Sequence, residues 1–550
     1  MKNFRLVIIP ALTLFIGILH LLPRKAGLPD CFGFDQLRYL SETFTWLWIL
    51  AFLALAISFS LAPLDKIPGR LNSKIFLLAP ALLWPALLFF LHTSAPLLGD
   101  GLDRIYSLHS GLLPTLRNQP APLDLILHWL LFSALKSRTH SDFLTYNLLS
   151  YGAGIFYLAM ILISGRKLFS DKSDRIFWLL ILLSQGYIQL FAGYAENYSF
   201  LPGLFLSWIL GAKETERGKT WPILVSQSLL ILFHFFCILL LPATIYLLLA
   251  RSEKKSRVSA TGLTLAGLLF SGLALFLVWR YYRGIAIFLA PGKIFSPNHL
   301  LDFFNHQILA SPALLLLVLG FAIKNGKLAL TKPERTGLLG ILILLIFFFV
   351  LRPVIGAMRD WDLFAIPAML YTPALLVYLF PRLKPERNFL ARFGILVFLV
   401  SSFHTGAWLW VNHSEKIMIT RIQFHLDENQ EPERWASAYG YMTVGKYYLA
   451  TARLEESRRA LEKSVQIHPS YSQNRLALGI QLWALGKYLE AIFQVEQAHE
   501  INPTNPGIKK TLSRFYLEYA QTLSAQNKKA EAEKYLQKLS ELDSESLNQK

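Results

Sequence analysis

The chain has 550 residues, of which 54% are hydrophobic and only 16% are charged, with a mean hydropathy of +0.40. In soluble domains about a quarter of the residues are charged, so this composition fits neither a soluble enzyme nor a disordered chain. Of the net charge of +18, residues 430–550 carry only +2. The excess lies in apolar sequence, where membrane topology explains basic residues without a nucleic-acid partner. We predict an all-α, polytopic membrane protein.

Apolar runs along residues 1–411 predict about thirteen membrane-spanning helices. The first run, residues 6–22, follows two basic residues and has no small-residue cleavage site, so we expect an uncleaved signal-anchor helix. Further runs long enough to cross a hydrocarbon core of ~30 Å lie at residues 43–62, 75–92, 143–164, 176–192, 196–212, 222–250, 259–279, 307–323, 336–351, 363–380 and 392–411.

Two apolar segments are ambiguous, and the positive-inside rule decides how we interpret them. We expect residues 222–250 to form a tight hairpin with a turn near His234–Pro242. Residues 122–136 are short and contain Asp124 and His128, so we expect an interfacial helix. With both assignments the inner loops have about three times the Lys and Arg density of the outer segments. The N-terminus is then cytoplasmic and the C-terminus extracytoplasmic, on the periplasmic side of the inner membrane in a bacterium.

Three predicted outer segments contain unusual polar clusters, which are candidates for a composite site. They are residues 98–104 (Leu-Gly-Asp-Gly-Leu-Asp-Arg), 193–198 (Gly-Tyr-Ala-Glu-Asn-Tyr) and 359–362 (Arg-Asp-Trp-Asp). Each also has a purely structural explanation, because loop aspartates form turns and acids before a helix favour its N-terminus. Scattered histidines and two cysteines, Cys31 and Cys237, show no metal-ligand spacing and no disulfide framework.

The last part of the chain is charged, rich in Ala and Leu, and repetitive. Residues 486–491 (Gly-Lys-Tyr-Leu-Glu-Ala) lie 34 residues after 452–457 (Ala-Arg-Leu-Glu-Glu-Ser), and Pro503 lies 34 residues after Pro469. This period with a terminal proline is typical of tetratricopeptide repeats. A third unit at residues 527–532 lacks the proline and is expected to be a capping repeat. We predict a transmembrane domain over 1–411, a linker over 412–430 and a repeat solenoid over 431–550.

The order of these features resembles the GT-C superfamily of membrane glycosyltransferases, which includes protein O-mannosyltransferases and aminoarabinose transferases. The likeness covers residues 75–550: an acid in the first outer loop after a spanning helix, an interfacial helix, many spans and an outward C-terminal domain. It implies that Asp100, or alternatively Asp103, faces the acceptor nucleophile. The sequence departs from the family pattern because Gly101 and Leu102 separate the two acids.

We therefore expect an enzyme that transfers a sugar from a polyprenyl-phosphate donor at the outer face. Arginine binds phosphate in a bidentate fork, and we favour Arg104 and Arg359 among the outer arginines Arg104, Arg280, Arg283, Arg352 and Arg359. Glu196, Asn197, Asp360 and Asp362 would support the site, and a divalent cation on Asp100, Asp103 and Glu196 is an open option.

The repeats would bind the acceptor or a protein or peptide partner. A lipid-linked glycan ligase or polymerase is an alternative, although the largest outer stretch, residues 93–142, comes early in the chain. A membrane-anchored repeat scaffold without enzyme activity is a second alternative. A transporter is less consistent with the sequence, because the polar clusters lie at the edges of the spans.

Overall fold

The computed structural model describes residues 2–26, 31–61, 75–116, 120–137, 143–250, 287–323, 330–428 and 434–548. These parts of the chain are helical apart from turns and one isolated bridge, as the composition predicts. The chain forms two compact units, Met1–Thr420 and Arg421–Lys550.

The first unit consists of many helices of very different length. In chain order they are α1 Lys2–Leu19, α2 Leu22–Ala26, α3 Glu42–Leu61, α4 Ile75–Phe90, α5 Gly101–Ser107, α6 Leu112–Leu116, α7 Pro122–Leu135, α8 Phe143–Leu168, α9 Lys172–Leu182, α10 Leu201–Glu214, α11 Trp221–Phe233, α12 Leu241–Ala250, α13 Pro297–Ala310, α14 Leu314–Ile323, α15 Lys332–Val350, α16 Trp361–Phe364, α17 Ile366–Leu383 and α18 Arg387–His413. Helix α19, Glu415–Glu428, follows, so most of the predicted linker is helical.

Six helices in the described part of the chain are long and apolar enough to cross a membrane. They are Val7–Arg24, Glu42–Leu61, Phe143–Leu168, Lys332–Val350, Trp361–Leu383 and Arg387–His413. A seventh is present if Pro297–Ala310 and Leu314–Ala322, which meet at 94°, form one span. The prediction of thirteen spans is therefore not supported, and the predicted span 259–279 lies outside the described residues.

Several predicted spans are instead shorter helices separated by breaks. Run 176–192 contains the end of α9 and then a 3₁₀ helix, Gly186–Phe191, while run 222–250 is divided at His234 into α11, a 3₁₀ helix Phe235–Leu240 and α12. Residues 181–192 are buried throughout. Burial inside a protein selects apolar residues as strongly as lipid does, so an apolar run alone does not distinguish the two environments.

Buried amides explain how the chain tolerates the break at residues 183–192. The side chain of Gln189 donates to Thr93 Oγ1 (2.9 Å) and accepts from Asn412 Nδ2 (3.0 Å). Gln185 donates to Ser401 Oγ (3.1 Å) and accepts from Ser311 Oγ (3.0 Å). Because buried polar groups are costly without partners, these bonds fix the 3₁₀ segment against α18 and the turn between α13 and α14.

The second unit is a series of three helix pairs. Its helices are α20 Arg434–Ala450, α21 Leu454–Ile467, α22 Ser472–Ala484, α23 Tyr488–Ile501, α24 Pro506–Ala525 and α25 Lys529–Asn548. Gly445 packs against Leu461, and Gly479 packs against Val495 and Ala491, so a small residue lies at the helix crossing in each of the first two pairs.

The turns inside the three pairs share one backbone conformation. Ala452, Gly486 and Asn527 have φ values of 59°, 75° and 60°, in the left-handed region that glycine adopts most readily. Ala452 and Gly486 are the residues that the 34-residue period aligns. The repeat therefore preserves a turn geometry, although it does not preserve the residue that suits it best.

Reciprocal substitutions at this turn should have opposite effects on stability. Ala452→Gly relieves the backbone strain and should stabilise its helix pair by about 1 kcal/mol. Gly486→Ala should destabilise the next pair by a similar amount, because a Cβ there meets nothing within 4 Å and only the backbone cost remains. Hydrogen exchange of the full-length protein, read separately for the two helix pairs, measures both effects. Equal protection in both variants would contradict the shared geometry.

Candidate functional site

Two glycines allow the loop before α5 to lie directly against the 193–198 segment. Gly99 has a φ of +66°, and a Cβ added there would collide with Glu196 Oε1 and lie 3.0 Å from Asp362 Oδ2. A Cβ on Gly101 would lie 2.5 Å from the carbonyl oxygen of Ala195. Residues larger than glycine would therefore separate the first polar cluster from the other two.

Arg104 links the acids of the first two clusters. Its Nε lies 3.1 Å from Asp100 Oδ1 and 2.5 Å from Glu196 Oε2, and the backbone N–H of Asp100 donates to Glu196 Oε1 at 2.7 Å. The side chain of Glu196 is 1% exposed, whereas that of Asp100 is 43% exposed. Glu196 therefore holds the loop from behind, and Asp100 presents its carboxylate to the outside.

The third cluster is attached to the same loop through Arg359. Its Nη2 donates to the carbonyl oxygen of Gly99 at 2.6 Å and its Nε to that of Leu97 at 3.4 Å, while Gly99 N–H donates to the Arg359 carbonyl at 3.0 Å. Arg359 is only 2% exposed. It stabilises the position of the loop that carries Asp100, and it does not line the adjoining cavity.

Asp362 connects the third cluster to the second. Its Oδ2 accepts a hydrogen bond from the Tyr194 hydroxyl at 3.1 Å, and its Oδ1 accepts from the backbone N–H of Leu363 at 2.8 Å. Trp361 Nε1 donates to the same hydroxyl at 2.9 Å. All three polar clusters are thus joined by direct contacts within the first unit.

The electrostatics distinguish Asp100 from the acids behind it. Although burial favours its neutral form, the Arg104 guanidinium and a hydrogen bond with Glu196 hold the pKa of Asp100 below its ordinary value. Burial raises the pKa of Glu196 and of Asp360 well above the ordinary range. Asp100, the most accessible of these acids, is therefore the one whose charged form its surroundings favour most.

A cavity of about 230 Å³ adjoins Asp100. Its polar lining consists of Asp100, Arg104, Tyr198, His234, Arg352 and Asp360, and its remaining lining is Pro120, Phe236, Ile287, Leu351, Val354, Ile355 and Leu363. Arg352 is placed by a short bridge, in which Phe288 pairs with Leu351 and Arg352 N–H donates to Ile287 O at 2.8 Å. In the described part of the chain, the Arg352 side chain forms no ion pair or hydrogen bond.

The structure thus separates the predicted site residues into two groups. Asp100, Arg104 and Asp360 line the cavity, whereas Glu196, Arg359 and Asp362 lie behind it and hold the loop. Asp103, in the first turn of α5, and Asn197, which is 1% exposed, are not lining residues. Arg280 and Arg283 lie outside the described residues.

Sequence reasoning gave too little weight to three lining residues. The sequence offers Arg352 as one of five outer arginines without favouring it, and Tyr198 is only the last residue of the second polar cluster. The sequence predicts His234 only as part of a turn; its Nδ1 accepts a hydrogen bond from Phe236 N–H at 3.3 Å, so it shapes the break after α11. A break in an apolar run is a weak signal for a site residue.

The residues do not fit the divalent cation that the acids had suggested. Arg104 lies between Asp100 and Glu196, where a cation bound by both acids would have to be. Among the described residues there is no group of three or more His, Cys, Asp or Glu side chains that could hold a metal ion.

Comparison with known families identifies a tetratricopeptide repeat at residues 513–546, which covers the last helix pair. The match falls on the unit predicted as a capping repeat, and it supports the repeat assignment of the second unit. No curated protein matches the chain. Beyond this repeat, the comparisons give no support to the glycosyltransferase resemblance of residues 75–550.

Substituting Gly99 should disrupt the junction of the three clusters. Gly99→Ala combines a strained backbone, about 1–2 kcal/mol, with a collision against Glu196, so the melting temperature in detergent should fall by several degrees. Gly152→Ala in α8 is the matched control, because an added Cβ there meets nothing within 4 Å and alanine favours a helix. An unchanged melting temperature for Gly99→Ala would contradict the described packing.

Proposed function

We propose that the chain is an integral-membrane glycosyltransferase that uses a polyprenyl-phosphate-linked sugar and modifies an acceptor at the extracytoplasmic face. One observation carries the proposal: an accessible carboxylate, two arginines and an apolar wall share one cavity. This combination matches an acceptor hydroxyl, a phosphate and a prenyl chain respectively. The tetratricopeptide repeat is a protein-interaction module, and we propose that it binds the acceptor or a protein partner.

Asp100 would accept the acceptor's hydrogen bond and orient its hydroxyl. As the hydroxyl oxygen forms a bond to the anomeric carbon, the bond from that carbon to the phosphate oxygen breaks. The hydroxyl proton passes to the Asp100 carboxylate, and the lipid phosphate leaves with the bonding electrons. The Arg104 guanidinium lowers the pKa of Asp100, which favours the ionised form that accepts the hydrogen bond from the hydroxyl but makes the carboxylate a weaker base.

The two cavity arginines would stabilise the charge that develops on the leaving phosphate. Arg352 is the better phosphate ligand, since Arg104 is already held by Asp100 and Glu196. The sequence favours Arg359 as a phosphate ligand, but because it contacts the carbonyl oxygens of Gly99 and Leu97 we assign it a positioning role instead. Phe236, Ile287 and Leu351 would contact the first isoprene units.

Membrane insertion is part of the proposal, and the apolar helices support it. Many large apolar side chains in the candidate spans are exposed, among them Leu47, Leu50, Ile155, Leu342 and Ile346. Exposed apolar surface on this scale is rare on monomeric soluble proteins. We propose a cytoplasmic N-terminus and extracytoplasmic repeats, following the distribution of basic loops.

Asp100→Asn should abolish transfer while leaving the protein in the membrane fraction at normal abundance. The substitution keeps the shape and the backbone bond to Glu196 but removes the proton acceptor, and general-base catalysis contributes about 10²–10⁴-fold. Mass spectrometry of envelope glycoproteins and glycolipids from a deletion strain complemented with each variant measures the loss. Asp103→Asn, in the first turn of the helix that Asp100 precedes but outside the cavity lining, should behave as wild type. Normal products from Asp100→Asn would remove Asp100 from the mechanism.

A second candidate function is a membrane-anchored repeat scaffold without enzyme activity. The family match favours it, because the repeat is what the comparisons support. A scaffold would retain a stoichiometric protein partner on purification, and its deletion would leave envelope glycans unchanged. The transferase predicts a glycan change on deletion that a chain carrying Asp100→Asn does not restore.

A further inference from the structure

A second and larger cavity, of about 430 Å³, lies at the opposite ends of the helices that border the first. Helix α10 begins near Tyr198 of the first cavity and ends at the second near Lys213. Helices α15 and α17, which run in opposite directions, likewise connect the two cavities. The volume lies within the ~300–1,000 Å³ typical of ligand pockets.

The second cavity has a polar rim and an apolar interior. The rim holds Lys213, Glu334 and Arg382, and the interior includes Trp208, Gly337 and Ala374. Ala374 and Arg382 are eight residues apart on α17, which at 1.5 Å per residue is roughly 12 Å. A lining that changes from charged at the rim to apolar in the interior fits a ligand with a charged head and a hydrocarbon tail.

The rim is rigid and lacks an available catalytic acid. Arg382 binds Glu334 through two hydrogen bonds of 2.6 and 3.0 Å, and its guanidinium lies 3.8 Å from the centre of the Tyr378 ring. Glu334 also closes a capping box with Thr331 at the start of α15. Because this carboxylate is fully engaged, the cavity is suited to binding and not to acid–base chemistry.

The sequence around the rim is basic. Residues 164–176, 212–221, 330–335 and 380–391 contain twelve basic and six acidic residues. The ion pairs Lys167–Glu214 (3.7 Å) and Lys384–Asp171 (2.8 Å) join these segments at the same end of the unit. Lys213 itself pairs with the exposed Glu216 (2.5 Å), so it is the surplus of positive charge over these segments that favours an anionic head group.

The interior has space for a hydrocarbon chain. A Cβ on Gly337 would meet only the Ala374 Cβ, at 3.7 Å, so these two small residues leave an opening between α15 and α17. By contrast, a Cβ on Gly340, one turn further along α15, would lie 3.0 Å from Leu240 and 3.2 Å from Leu370. The opening is therefore local to the cavity.

We propose that this cavity binds one acyl chain of an anionic phospholipid, with the lipid phosphate at the basic rim near Lys213. The inference rests on the proposed membrane location and does not depend on the transferase reaction. Bound lipid would fill the space between α15 and α17 and so stabilise the helices that also border the Asp100 cavity.

Filling the cavity with a side chain tests the proposal. The full-length protein is reconstituted in vesicles of equal phosphatidylglycerol and phosphatidylcholine, extracted in detergent, and analysed for retained lipid by native mass spectrometry. Wild type should retain phosphatidylglycerol in preference to phosphatidylcholine. Ala374→Phe should retain roughly tenfold less or lower still, since excluding two methylenes already costs this much. Ala51→Phe, at an exposed position on α3, should retain the wild-type amount.

Further variants separate the outcomes. Gly337→Leu fills the cavity from α15, so a folding defect in Ala374→Phe does not prevent the test. Lys213→Gln should reduce the preference for phosphatidylglycerol and preserve acyl-chain binding. Unchanged lipid retention in both filled variants, or equal retention of the two lipids by wild type, would overturn the proposal. If the transferase proposal fails, the Asp100→Asn protein will give normal glycans. The lipid-retention measurement does not use that variant, so the two failures can be told apart.

Discussion

The ion pair between Arg104 and buried Glu196 is the interaction on which the candidate site depends. Glu196 is the more buried of the two acids that pair with Arg104, and breaking a buried pair by removing one partner is destabilising. Glu196 also accepts a hydrogen bond from the backbone N–H of Asp100. Gly99 packs closely against the side chains of Glu196 and Asp362. The loop 98–104 therefore has one well-determined place, and the exposed Asp100 carboxylate is a consequence of the buried contacts behind it.

In this arrangement some residues hold the 98–104 loop in position and others face the cavity. Glu196, Arg359 and Asp362 form hydrogen bonds with the loop or with Tyr194, while Asp100 and Arg352 line the cavity. Precise chemistry requires such support, because a reacting group must be held within about 0.5 Å of its productive position. Helices α10, α15 and α17 border both cavities. The cavity at one end of these helices has a charged lining, and the cavity at the other end is amphipathic.

The sequence predicted the repeats and the polar clusters better than it predicted the spans. Pro469 and Pro503 follow helices that end at Ile467 and Ile501, because proline cannot continue a helix. Charged residues in apolar sequence are conspicuous, so Asp100, Glu196 and Arg359 were identifiable. Their contacts were not: whether Arg359 points towards a ligand or towards the Gly99 carbonyl depends on packing between distant segments. The apolar run 176–192 predicts a span although the structure has a helix end and a 3₁₀ helix there, because burial in protein and burial in lipid both favour apolar residues.

The most direct test of this account is the affinity of the purified protein for a polyprenyl phosphate, because the cavity is proposed to hold a phosphate on Arg352. Charge-assisted hydrogen bonds contribute about 1.5–3 kcal/mol, so Arg352→Gln should weaken binding at least about tenfold. Arg459→Gln is the control, since Arg459 is exposed on helix α21 and lines neither cavity. Equal affinities for the Arg352→Gln protein and wild type would contradict the account, as would the absence of binding by wild type.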